Sequence, residues 1–160
     1  VSTGPAVARN AARRYPEATK PKEKETAVDK FIDYRAPGRV DEERARIEAE
    51  LKARKFGVLH THDVKKTLES KGVAFGTELY ILDVCNPVLA KQALEGTQNR
   101  IAPLLPCSVA VWQDGDYVAA RFLRPTALAA FLPDEKGLDR LAPDAEAAID
   151  AAVRAGLGVK

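Results

Sequence analysis

Residues 108–122 carry the pattern that most restricts this chain. Ser108–Gln113 and Asp116–Phe122 are β-rich runs with alternating apolar positions, and Asp114-Gly115 lies between them. An Asp-Gly pair between such runs is the strongest short-range hairpin signal. Read with Asp114-Gly115 as the two-residue loop, Trp112 opposes Tyr117 and Val111 opposes Val118, with Trp112 and Tyr117 a cross-strand packing pair. Cys107, Val109 and Val111 then share an apolar face with Val118, Ala120 and Phe122. The fold must bury that face, and Cys107 with it.

The rest of the chain supplies partners for the hairpin. Residues 1–26 read as a solvated extension, interrupted by Pro5, Pro16 and Pro21, and residues 27–160 as one domain. A strand over Phe31–Arg35 ends at Ala36-Pro37-Gly38. A helix over Glu42–Lys55 follows, capped by Asp41, with Val40, Ile47 and Leu51 as its apolar stripe. Its pairs Glu42/Arg46, Glu48/Lys52 and Glu50/Arg54 are favourable i,i+4 partners on a solvated face. Phe56–His62 is a second strand. Asp63 caps a short helix over Val64–Ser70, which Gly72 stops. Glu78–Cys85 is a third strand, apolar on both faces and therefore interior. Asn86 caps a helix with Pro87 in its first turn, running to Glu95. Ile101–Pro106 is an extended connector. A short helix runs from Pro125 to Leu132, residues 133–141 form a loop, and Pro143–Leu157 is an Ala-rich helix with Ile149, Val153 and Leu157 on one side. This order predicts an α+β domain, a small mixed or antiparallel sheet with helices on one face.

Charge excludes one class of function. Residues 1–55 hold 14 Lys/Arg and 10 Asp/Glu, residues 56–132 hold 7 and 7, and residues 133–160 hold 4 and 6. Basic and acidic side chains alternate, without the concentrated stripe that phosphate neutralisation requires, so no nucleic-acid partner is expected. No apolar run approaches the roughly 18 residues of a membrane span. The chain contains no Met, which raises the expectation of an export signal removed before Val1. A periplasmic location would follow from that, and a cytoplasmic one otherwise.

The usual nucleophile and phosphate motifs are missing: there is no G-x-S-x-G, Walker loop, G-x-G-x-x-G or H-E-x-x-H. The soft ligands are the notable feature. Both histidines and both cysteines fall in or at the ends of strands. His60 and His62, two apart, project from one face together with Phe56 and Val58. Cys85 precedes a capped helix, whose unpaired N–H groups would stabilise its thiolate. Asp83 shares the face of Cys85 and suits a supporting ligand. If the segment between His62 and Glu78 is a crossover, its two strands run parallel and His62 and Cys85 meet at one sheet edge.

Three segments then resemble a known family. Phe56–Phe75, Val84-Cys-Asn-Pro87 with Ala93-Leu94, and Leu104-Leu-Pro-Cys-Ser-Val109 are similar, in order and spacing, to the family called domain of unknown function 302. The likeness covers about residues 28–132. It implies a TATA-binding-protein-like topology, often as a homodimer, and no established activity. Its recurrent Cys-Asn-Pro and Pro-Cys match Cys85 and Cys107. His62 before Asp63 resembles one subgroup, whereas His60 is less typical.

The expected function is therefore a small ligand-binding domain. Its site would combine Cys85, Cys107 and His62, with His60 and Asp83 beside them as further metal ligands. Such donors suit Cu(I) or Zn, or haem iron through an axial ligand. A thiol redox or sulfur-transfer protein, with Cys85 as nucleophile, Cys107 as resolving thiol and His62 as base, is the enzymatic alternative. A structural, oligomeric module with both cysteines in the core is the third.

Overall fold

The computed structural model describes residues 29–135 and 137–160, so the reading of residues 1–26 lies outside it. Five strands form one sheet: β1 (Phe31–Pro37), β2 (Gly57–Asp63), β3 (Leu79–Cys85), β4 (Cys107–Asp114) and β5 (Tyr117–Leu123). Their order is β1-β5-β4-β3-β2, and every neighbouring pair is antiparallel. With its helices this is an α+β fold. Pro37 extends β1 beyond the predicted end, which its place on an edge strand allows.

The hairpin forms with a register two residues from that predicted. Asp114 pairs with Tyr117, Val111 with Ala120, and Trp112 with Ala119, not Tyr117. The loop is Gly115-Asp116, and Gly115 takes the positive φ of 62° that favours glycine. Side chains alternate with period two, so a shift of two preserves each face. Val109, Val111, Val118, Ala120 and Phe122 are all buried as expected.

That face packs under α1 (Val40–Ala53) and α5 (Leu138–Leu157). Val40, Ile47 and Leu51 from α1, and Ile149, Val153 and Leu157 from α5, belong to one core with the sheet residues. A Cβ on Gly156 would lie 2.7 Å from the Ile47 Cα and 2.8 Å from its backbone nitrogen, so α5 touches the backbone of α1 here. Helix α5 begins five residues before the predicted start, with Pro143 inside it. The residues read as a loop include Leu138, whose burial joins it to the helix.

Gln113 sets the start of α1, two residues before the predicted one. Arg39 flanks the helix without a side-chain cap. The Gln113 Oε1 accepts from the Val40 N–H at 2.8 Å, while its Nε2 shares two hydrogens among the carbonyls of Gly38, Gly115 and Tyr117. Asp41, read as the cap, instead accepts from the Tyr80 hydroxyl. We expect Gln113→Ala to cost about 2 kcal/mol, since it leaves a half-buried N–H and several carbonyls without their partner. Chemical denaturation measures this, and a loss below about 0.5 kcal/mol would show that water replaces the amide.

The remaining helices are short. Helix α2 (Val64–Glu69) is capped by Asp63, whose carboxylate accepts from the Lys66 N–H at 2.9 Å. Helix α3 (Pro87–Gly96) is capped by Asn86, and α4 spans Pro125–Ala129. The connector after α3 contains a 3-10 turn at Ala102–Leu104 where an extended segment was predicted.

Candidate functional site

The two cysteines come together at one end of the sheet. Val84 on β3 pairs with Cys107 on β4, so Cys85 lies one residue along from that pair. Both are free thiols. Both line a cavity of ≈ 70 Å³ bounded by the ends of β3 and β4, α3, the 3-10 turn, α4 and α5. Leu89, Leu104, Leu128 and Leu141 supply much of its wall, and Asn86 is the polar residue among those lining it. The sequence reading places Leu89 and Leu128 on short helices, Leu104 in an extended connector and Leu141 in a loop. Nothing local to any one helix indicates that they share a hollow.

Burial pushes the Cys85 thiol up. Burial, and then the neighbouring charge of Cys85, push the Cys107 thiol up to about 11. This reverses the expectation of a stabilised Cys85 thiolate. The Asn86 side-chain Oδ1 accepts from the N–H groups of Val88 and Leu89 at 3.0 and 3.2 Å, so the helix donors that would favour a thiolate are already engaged. At neutral pH both sulfurs are thiols set in apolar walls.

The histidines do not join them. Strand β2 runs antiparallel to β3, with Gly57 opposite Cys85 and His62 opposite Ile81. His62 and Cys85 therefore do not meet at one edge. The connecting helix α2 has six residues, about 9 Å of helix. The register also shifts between Val58 and His60, leaving Leu59 bulged and 64% exposed. Such a bulge reverses the alternation. Val58 pairs with Val84, whereas His60 pairs with Asp83. His60 and His62 thus face away from Phe56 and Val58, contrary to the simple alternation.

On that open face His62 Nε2 lies 2.7 Å from an Asp83 oxygen, and Ser108 donates to the other at 3.1 Å. The His60 ring meets His62 edge-on, with centroids 4.4 Å apart. The five residues predicted as one site are split between two places: Cys85 and Cys107 at the cavity, and His60, His62 and Asp83 on the sheet face. Among the described residues no three His, Cys, Asp or Glu side chains form a group that could hold a metal ion. A structural zinc site takes four ligands, and the two thiols lack imidazole company. Haem does not fit the cavity as it stands. Its ≈ 70 Å³ is about half of the roughly 150 Å³ that accommodates benzene, and neither histidine lines it.

The sheet order, the two-helix cover and the thiol-lined cavity define an α+β domain with an apolar hollow at the sheet end. The model of the family described as Domain of unknown function DUF302 matches residues 32–156, and the chain belongs to that family. A solved structure described as an uncharacterized conserved protein DUF302 from Bacillus stearothermophilus is similar, with a TM-score of 0.72 and 28% sequence identity. The match covers 79% of this chain and 97% of that one. No curated protein matches the chain. No helix among the described residues is long and apolar enough to cross a membrane.

Proposed function

We propose that this protein is a small-ligand-binding domain whose site is the cavity lined by Cys85 and Cys107. The observation that carries this reading is the composition of the wall. Four elements beyond the sheet converge on a hollow with almost no polar lining and two protonated thiols. Such a wall suits a small, mainly apolar ligand. Neutral hexanamide is a suitable probe, followed by NMR titration of the methyl groups of Leu89, Leu104, Leu128 and Leu141. We expect saturable shifts confined to these residues. Shifts scattered over the surface, or none, would refute the reading.

A second reading rests on the two sulfurs alone. A soft d10 cation such as Cu(I) accepts thiolate ligands, and binding would displace both thiol protons. Its test uses Ag(I) as the probe, with native mass spectrometry. One ion per chain is expected, retained when His60 and His62 are both replaced by Ala and lost in the Cys85→Ser/Cys107→Ser variant. Binding that survives loss of both cysteines overturns it. The thiol-exchange alternative is the weaker one, because raised thiol pKa values leave little nucleophilic thiolate at neutral pH. For the self-association implied by the family resemblance we nominate the sheet face opposite α1 and α5, where Phe31 is 38% exposed and Trp112 is half-buried.

A further inference from the structure

We infer that the ligand of the cavity is a monoanion, with its apolar part in the thiol-lined cavity and its negative group on Lys55. The inference rests on the cavity reading above and names the class of ligand. A groove adjoins the cavity, and the two share Phe56, Asn86 and Leu89 in their walls. Arg54, Lys55 and Asp144 are the charged residues lining this groove. Arg54 is engaged by the Glu50 carboxylate one turn earlier on α1. Among the described residues Lys55 has no carboxylate partner, so it is the cation left for an incoming anion. Asp144, on the α5 side, opposes negative charge placed beside it, so an anionic group in this groove must sit on the Lys55 side.

The backbone supplies an independent reason to single out Lys55. It follows α1 with a φ of 63°, in the left-handed region. Glycine is favoured at that position after a helix, because a side chain there is strained. A lysine in this place maintains a cation beside the groove at the expense of local backbone comfort. The volume of the cavity agrees with a divided ligand. Its ≈ 70 Å³ encloses only a few carbons, so a longer molecule must extend beyond it, and the adjoining groove would carry the polar end to Lys55.

Three six-carbon probes test this on the full chain: hexanoate, hexanamide and hexylamine, titrated by NMR at low salt. Hexanoate should bind about threefold to fivefold more tightly than hexanamide, the range of one exposed charge pair, and hexylamine most weakly. The preference should shrink at high salt. In Lys55→Gly the preference for hexanoate over hexanamide should disappear. The same variant should hold or raise Tm, because glycine relieves the left-handed backbone. A lysine with a purely structural role would not separate these two readouts. Equal binding of hexanoate and hexanamide to the unaltered protein, or an undiminished preference in Lys55→Gly, overturns the inference while the cavity reading stands. Failure of hexanamide itself to reach the cavity overturns both.

Discussion

Gly156→Ala should destabilise the fold by about 2 kcal/mol, although alanine favours a helix by about 1 kcal/mol over glycine. The new Cβ would stand 2.5 Å from the Ile47 Cγ1, 2.7 Å from its Cα and 2.8 Å from its nitrogen. Real Cβ atoms do not approach so closely. The isoleucine side chain can turn aside, but its backbone belongs to a 14-residue helix and cannot. Helices α1 and α5 must therefore separate, and Ile47, Ile149 and Val153, each fully buried, lose contact as they do. Gly156→Leu should leave no folded population under the same conditions. Urea unfolding, read by far-UV circular dichroism, measures both. An alanine variant more stable than the parent would show that the two helices are free to shift apart.

Ala93→Leu should abolish hexanamide binding, lowering affinity at least tenfold, while Tm moves by no more than a few degrees. Ala93 is 7% exposed and lines the cavity from α3. Leucine adds three carbons directed into a space of ≈ 70 Å³. Filling an existing hollow creates less strain than enlarging a side chain in a close-packed core. The expected separation of binding from stability is the point of the substitution. Undiminished binding in a folded variant would place the probe elsewhere on the protein, whatever surface it used.

Much of the architecture was legible because it depends on short-range chemistry. Asp63 and Asn86 were recognisable as caps because their side chains satisfy N–H groups two or three residues onward. The buried face of the hairpin survived an incorrect register, since a displacement by two returns each side chain to its own side. The stripe Ile149, Val153, Leu157 announced the buried side of α5 through helical spacing alone. The Cys-Asn-Pro and Leu-Pro-Cys signatures likewise pointed to the family.

The candidate site was legible only in part. Cys85 and Cys107 were singled out and do share a wall. Their grouping with His62 failed on two features of β2, its direction relative to β3 and the bulge at Leu59. No residue type near Leu59 announces an inserted residue, because the bulge is set by how β2 pairs with β3. Gln113 and Lys55 do not stand out in sequence, because a lone Gln in a strand and a Lys after a helix are ordinary there. Their roles come from partners distant along the chain.

Sequence alone determined the order of the five strands and five α-helices along the chain, where the capped helices α2 and α3 begin, and which side of the hairpin and of α5 is apolar. These are matters of periodicity and of hydrogen bonds that reach only a few residues. Tertiary structure alone decided the strand order, the direction of β2, the cavity and the protonation of its thiols. Each of these depends on packing between segments far apart in the chain, where the same local pattern admits more than one arrangement and burial selects among them.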